Sequence, residues 1–280
     1  MVTRFPVMVL DSMSPTASFP AWWGSFDLPV GAWGRWEVGP LGLWVQRRSR
    51  DWRIAWEAGT DPLSERSKVE LPSEPPPFEL EGRVQRFGTS DPSVRLRVEP
   101  RTADRPVVTR PQDPFHLPAG DEITMYVTAP LWLRLGYGDL ENKVLRELPA
   151  FRPSDTWFGP PTEEGELAYA ARTVCFLSLE ELPKRPHRSI SAVRIRNRSE
   201  APLPLERINL PVPRLALFRA ESGQLWTQDL LLVRRGATDF AELRLSSGPP
   251  RHLGESAEPV SAPRHESTNS IVRAFGSWLR

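Results

Sequence analysis

Apolar and polar residues alternate with a period of two along much of the chain. Trp52, Ile54 and Trp56 fall on one face of a strand and Arg53 on the other. Leu41, Leu43 and Val45 repeat the pattern after a Gly39-Pro40 turn. Val94, Leu96 and Val98 alternate with Arg95, Arg97 and Glu99, and Ile123, Met125 and Val127 with Thr124, Tyr126 and Thr128. Leu131, Leu133 and Leu135 alternate with Trp132 and Arg134. Val193, Ile195 and Asn197 alternate with Arg194, Arg196 and Arg198, before a Ser199-to-Pro202 turn and a return strand from Leu203 to Leu210. Such alternation predicts antiparallel strands with one buried face. Tyr169 to Leu179 is largely apolar, and its Thr173-Val174-Cys175-Phe176 centre favours strand over helix.

Turn-separated strands without intervening helical patterns predict an all-β protein. The expected architecture is two antiparallel β-sandwich-like halves with a short C-terminal amphipathic helix. Residues 1–105 read as a Trp-rich N-terminal β domain, and 106–248 as a C-terminal β-sandwich domain. Residues 249–268, rich in Ser, Pro and Gly, read as a flexible linker. In 269–280, Ile271, Val272, Phe275, Trp278 and Leu279 share one face of a helix, with Asn269 as N-cap. So short a helix is marginal alone. Ile271, Phe275, Trp278 and Leu279 are therefore candidate docking residues.

Composition refines this picture. The 280 residues include 31 Pro, which suit short strands and many turns and do not suit long helices. Seven of the 11 Trp precede residue 57, and their strand spacing favours core over a ligand platform. The net charge of +1 gives no global attraction to nucleic acid or anionic membrane. Cys175 is the only cysteine, so no intramolecular disulfide forms. The N-terminal apolar run is broken by Pro6 and is a poor signal peptide, and no stretch resembles a membrane span. The expected compartment is the cytoplasm.

Chemistry is sparse. His116, His187, His252 and His265 show no metal-ligand spacing, and no phosphate-cradling loop is present. Neither a metal nor a cofactor is expected. Cys175, between Val174 and Phe176, reads as a buried, inert thiol. The densest block is Asp155-Thr156-Trp157-Phe158-Gly159 with Gly165-Glu166-Leu167. A hairpin could bring Asp155 and Glu166 together as an acid/base pair beside Arg172, although ordinary turn chemistry accounts for them as well. Trp157 and Phe158 are candidate binding residues, expected to pack inward as a pair. Arg194, Arg196 and Arg198 form a row that suits either a polyanion or a solvated sheet face.

Arg110-Pro111, Tyr126 to Trp132, the Trp157 block, Arg172-Thr173, and Arg194 to Asn197 with Pro211 carry a family resemblance. Over residues 106 to 245 the chain resembles the prokaryotic family catalogued as domain of unknown function 432. The resemblance implies no activity, cofactor or catalytic residue. The reading favoured at this point is a non-enzymatic binding or assembly module, contacting a protein partner or a second copy through the C-terminal helix. One alternative is a hydrolase of a carbohydrate-like substrate using Asp155 and Glu166. Another is a peripheral membrane protein anchored by the last helix.

Overall fold

The structure, a computed structural model, describes residues 21–78, 83–90, 95–138, 143–160, 164–236, 238–266 and 270–276, with backbone alone at 171–174 and 255. The protein is all-β, with five sheets among the described residues. Among the described residues, helical content is confined to 3-10 turns at Val212–Arg214 and Arg251–Ser256.

The strand alternation translates directly into burial. Trp36, Leu43, Trp52, Ile54, Leu96, Met125, Val127, Val193 and Ile195 are all buried. Five of the seven early Trp lie in the interior, and Trp23 and Trp56 are half-buried. The two-residue Gly39-Pro40 turn joins Trp33–Val38 to Leu41–Arg47, pairing Val38 with Leu41. Gly39 is required there: its φ is +57°, and a Cβ would sit 2.4 Å from the His187 ring.

One core lies between two sheets of the N-terminal region. The first sheet runs Ser67–Ser73, Trp33–Val38, Leu41–Arg47, Asp51–Ala58, Gln85–Gly88. The second runs Gly24–Phe26, Leu96–Arg101, Trp132–Tyr137, Val144–Pro149. The hairpin of Trp132–Tyr137 and Val144–Pro149 thus crosses the boundary expected at residue 105 and completes the earlier sheet. Leu131, Leu133, Leu135, Leu145 and Leu148 fill that core, together with Leu217 and Leu225.

A second core lies between an eight-stranded sheet and a five-stranded sheet. Arg188–Asn197 is the spine of the larger sheet. It pairs antiparallel with Glu122–Pro130 and parallel with Leu225–Thr227 and Leu230–Arg234. The smaller sheet has the order Ser154–Phe158, Glu166–Cys175, Val107–Pro111, Arg207–Leu210, Phe275–Gly276. Its pairing of Glu166–Cys175 with Val107–Pro111 is also parallel. The sheets are mixed, where alternation alone predicts antiparallel ones.

The C-terminal helix is corrected to strand. Ser270–Arg273 pairs with Phe240–Leu245 in the eight-stranded sheet, and Phe275–Gly276 pairs with Arg207–Leu210 in the five-stranded one. The chain changes sheets at Ala274, where the amides of Ala274 and Phe275 both donate to the Asp239 carbonyl. The switch resets the alternation, so Val272 and Phe275 both pack on the same core although they are three residues apart. A helix-like apolar spacing results without a helix. Ile271 is 76% exposed and Phe275 is 3% exposed, so they share no docking face. Trp278 and Leu279 lie outside the described residues. The stretch expected as a tether contains Glu258–Ser261, a strand paired with Leu217–Arg219.

Candidate functional site: the Glu166 notch

The block around Trp157 is a hairpin of Ser154–Phe158 and Glu166–Cys175. Its register pairs Asp155 with Tyr169, Trp157 with Leu167, and Phe158 with Glu166. Facing residues of an antiparallel pair point to the same side, and neighbours along a strand to opposite sides. Asp155, Trp157, Leu167 and Tyr169 therefore share one face, and Phe158, Glu166 and Ala168 share the other. Asp155 and Glu166 are not brought together.

The same parity separates the two aromatic rings. Phe158 is buried with Val108 and Ala168, and the Arg207 guanidinium lies 5.4 Å from its ring. Trp157 is 43% exposed. It folds over Gly165, where a Cβ would come within 2.2 Å of its indole nitrogen, and donates Nε1–H to the Pro160 carbonyl at 2.6 Å. The inward-packing expectation holds for Phe158 alone.

Asp155 is held by two cations. Arg105 and Arg152 each donate to its carboxylate at 3.0 Å, and both guanidiniums sit 5.4 Å from the Tyr169 ring. Tyr169 donates its hydroxyl to Asp104 at 2.9 Å. Arg172 lies in Glu166–Cys175 at a position where only the backbone is described.

Glu166 lies in a different setting. Val107–Pro111 begins opposite Tyr169, so the first residues of Glu166–Cys175 have no strand partner on that side among the described residues. A notch of about 250 Å³ opens between them and Arg207–Leu210, lined by Asp104, Glu166, Asn209, Arg214, His265 and Arg273 among others. Asn209 bridges it, donating Nδ2–H to Glu166 Oε1 at 2.5 Å. Asn209 is only 3% exposed, and its buried Oδ1 accepts no hydrogen bond among the described residues. Burial raises the Glu166 pKa above the ordinary carboxylate value; the Asn209 hydrogen bond and the charges of Arg214 and Arg273 oppose the rise. Arg214 donates to the Ser270 hydroxyl, and Arg273 pairs with Asp239 at 3.5 Å and lies over the Phe240 ring.

Sequence reasoning reached Glu166 and missed Asn209, Arg214 and Arg273. Asn209 did leave a signal, as a polar residue between Ile208 and Leu210 in an apolar strand stopped by Pro211.

The remaining candidates are dispersed. Arg194 and Arg196 both pair with Glu122, at 3.4 and 2.5 Å, and Arg198 is exposed at the strand end. This is the arrangement of a solvated sheet face. Burial pushes the Cys175 thiol up to about 12, far from a nucleophile's range. Among the described residues no three metal-ligating side chains cluster, and no helix is long and apolar enough to cross a membrane.

No curated protein and no solved structure matches the chain. A family model described as "Protein of unknown function (DUF432)" matches residues 22–279, far more than the 106–245 that carried the resemblance. The two cores, the sheet-switching C-terminal strands and the Glu166 notch all lie within that span, and the chain belongs to the DUF432 family.

Proposed function

We propose that this protein is a non-enzymatic binding module and that the Glu166 notch takes a polypeptide segment of a protein partner. The observation that carries the reading is the buried Asn209 Oδ1, an acceptor with no donor among the described residues, beside two guanidiniums. A buried polar atom left without a partner costs free energy that a ligand can recover. A peptide amide offers the N–H donor that Asn209 Oδ1 lacks and a carbonyl oxygen to which an arginine can donate. The opposite facing of Asp155 and Glu166 weighs against the hydrolase that pairs them, because glycoside cleavage needs two carboxyls across one bond.

A second reading rests on Asp104, which lines the same notch as Glu166. A carboxyl raised by burial beside a second carboxyl is the arrangement of an acid/base pair. One pair of measurements separates the two. The wild-type protein is screened against a peptide array, and the Asn209→Ala and Glu166→Gln proteins are screened in parallel. The binding reading expects a subset of peptides retained by wild type and weakened roughly 10-fold by Asn209→Ala, the worth of one buried hydrogen bond. Turnover of chromogenic glycosides by wild type, lost in Glu166→Gln, would replace it with the hydrolase.

A further inference from the structure

A second cavity, of about 420 Å³, lies where the Ser154–Phe158 strand begins. Three separate segments close it. Thr60, Pro62 and Leu63 follow the strand Asp51–Ala58; Phe151 to Ser154 lead into the hairpin; Pro183, Arg185 and Arg188 lead into the spine strand Arg188–Asn197. Thr128, Ala170 and Phe176 complete the lining.

The charge distribution is one-sided. Arg152, Arg185 and Arg188 all line the cavity, and no carboxylate is among its described lining residues. Each arginine is held in place. Arg188, buried, donates Nε–H to Thr128 Oγ1 at 2.9 Å and an Nη2 hydrogen to the Thr128 carbonyl at 3.0 Å. Arg185 donates to the Leu63 carbonyl at 3.4 Å. Arg152 is fixed by Asp155. Burial, with the like charge of Arg185 added, pushes Arg188 down to about 10. An anion between Arg185 and Arg188 would relieve their mutual repulsion, and guanidinium forks suit oxyanions. Beside Thr60, Thr128 and Ser154, the remaining surface is mostly apolar: Pro62, Leu63, Phe151, Pro153, Phe176 and Pro183.

We infer that this cavity is a binding site for a small organic oxyanion, a phosphate or carboxylate head on an apolar body, with Arg185 and Arg188 on the head. The volume is in the range of small-molecule sites. Asp155 then has a defined job as a positioning residue, holding Arg152 at the rim. This site stands independently of the notch, since it shares no lining residue with it.

Calorimetric titration of the full chain with phenyl phosphate, benzoate and neutral benzyl alcohol tests the inference. Phenyl phosphate or benzoate is expected to bind and benzyl alcohol to bind at least tenfold more weakly. Arg185→Gln, a change at a partly exposed residue, is expected to weaken the anion at least tenfold. Arg188→Lys, which keeps the charge and loses the fork, is expected to fall between. Arg196→Gln, on the solvated face, is the control and leaves binding unchanged. Absence of binding by both anions at millimolar concentration overturns the inference, as does binding indifferent to Arg185→Gln. Association with anionic phosphatidylserine vesicles but with neither soluble anion overturns it too, because the site would then be a membrane surface.

Discussion

Trp157 and Phe158 are adjacent in sequence and opposite in role. Phe158 fills a small outer core with Val108 and Ala168, so Phe158→Ala should cost about 3–5 kcal/mol. Trp157→Ala should cost about 1 kcal/mol or less, since the ring is half in solvent. Urea denaturation of both variants checks the order; equal losses would mean that both rings are interior. The expectation of an inward-packing pair overlooked a rule the sequence carries: a strand cannot send consecutive side chains to one face. His187 was not legible, standing between Pro and Arg in an apparent loop. It is fully buried against Gly39, and burial, with Arg188 and Arg185 adding, pushes its pKa down to about 3 from 6.5. The folded state therefore keeps it neutral while the unfolded state protonates near 6.5. Its stabilising contribution is complete above that value and is lost as pH falls toward 3. The cost is about 2 kcal/mol between pH 7.5 and pH 5, at about 1.4 kcal/mol per unit. His187→Leu should flatten that part of the stability–pH curve; an unchanged slope would assign the acid sensitivity to other groups.

The C-terminal strands show how an element can imitate another. Ile271, Val272 and Phe275 satisfy a helical apolar face, and β-branched Ile271 and Val272 equally suit a strand. The tie was broken by something outside the segment: two sheet edges, Phe240–Leu245 and Arg207–Leu210, waiting on either side of Ala274. No local periodicity records an edge. By contrast, the strands Leu41–Arg47, Asp51–Ala58 and Arg188–Asn197 were legible because their alternation is long and their turns carry Gly or Pro. The two readings of the C-terminus give opposite mutational patterns. A docking helix makes Ile271 and Phe275 equivalent. The strand makes Phe275→Ala cost about 3–5 kcal/mol and leaves Ile271→Ala within about 0.5 kcal/mol of wild type. Thermal denaturation of the two variants decides; comparable losses would revive the helix.

At the scale of the molecule, what the sequence left hidden is which strands share a sheet. Alternation specifies a buried face but names no partner, and one partner of Leu96–Arg101 is Trp132–Tyr137, beyond a Pro-rich stretch that looked like a boundary. The parallel pairings of Arg188–Asn197 are equally non-local. The same topology governs how the protein should unfold. Leu131, Leu133, Leu135, Leu145 and Leu148 lie after residue 105 and belong to the N-terminal core. Burying each contributes about 1.5–3 kcal/mol, so the five together contribute roughly 8–15 kcal/mol. That matches the entire stability of an ordinary domain, about 5–15 kcal/mol. A fragment of residues 1–105 should therefore have no cooperative urea transition of its own. Its Trp-rich sheet would expose the face that the missing hairpin covers, and its tryptophan fluorescence should be that of solvated rings. The intact chain should show one transition by tryptophan fluorescence and by circular dichroism alike, because the hairpin belongs to the first core and its flanking segments to the second. Mixing the fragment with residues 106–280 should restore the buried-tryptophan spectrum. If 1–105 folds cooperatively alone, with a denaturant slope appropriate to its size, the hairpin is an accessory and the boundary at residue 105 is the correct division of the molecule.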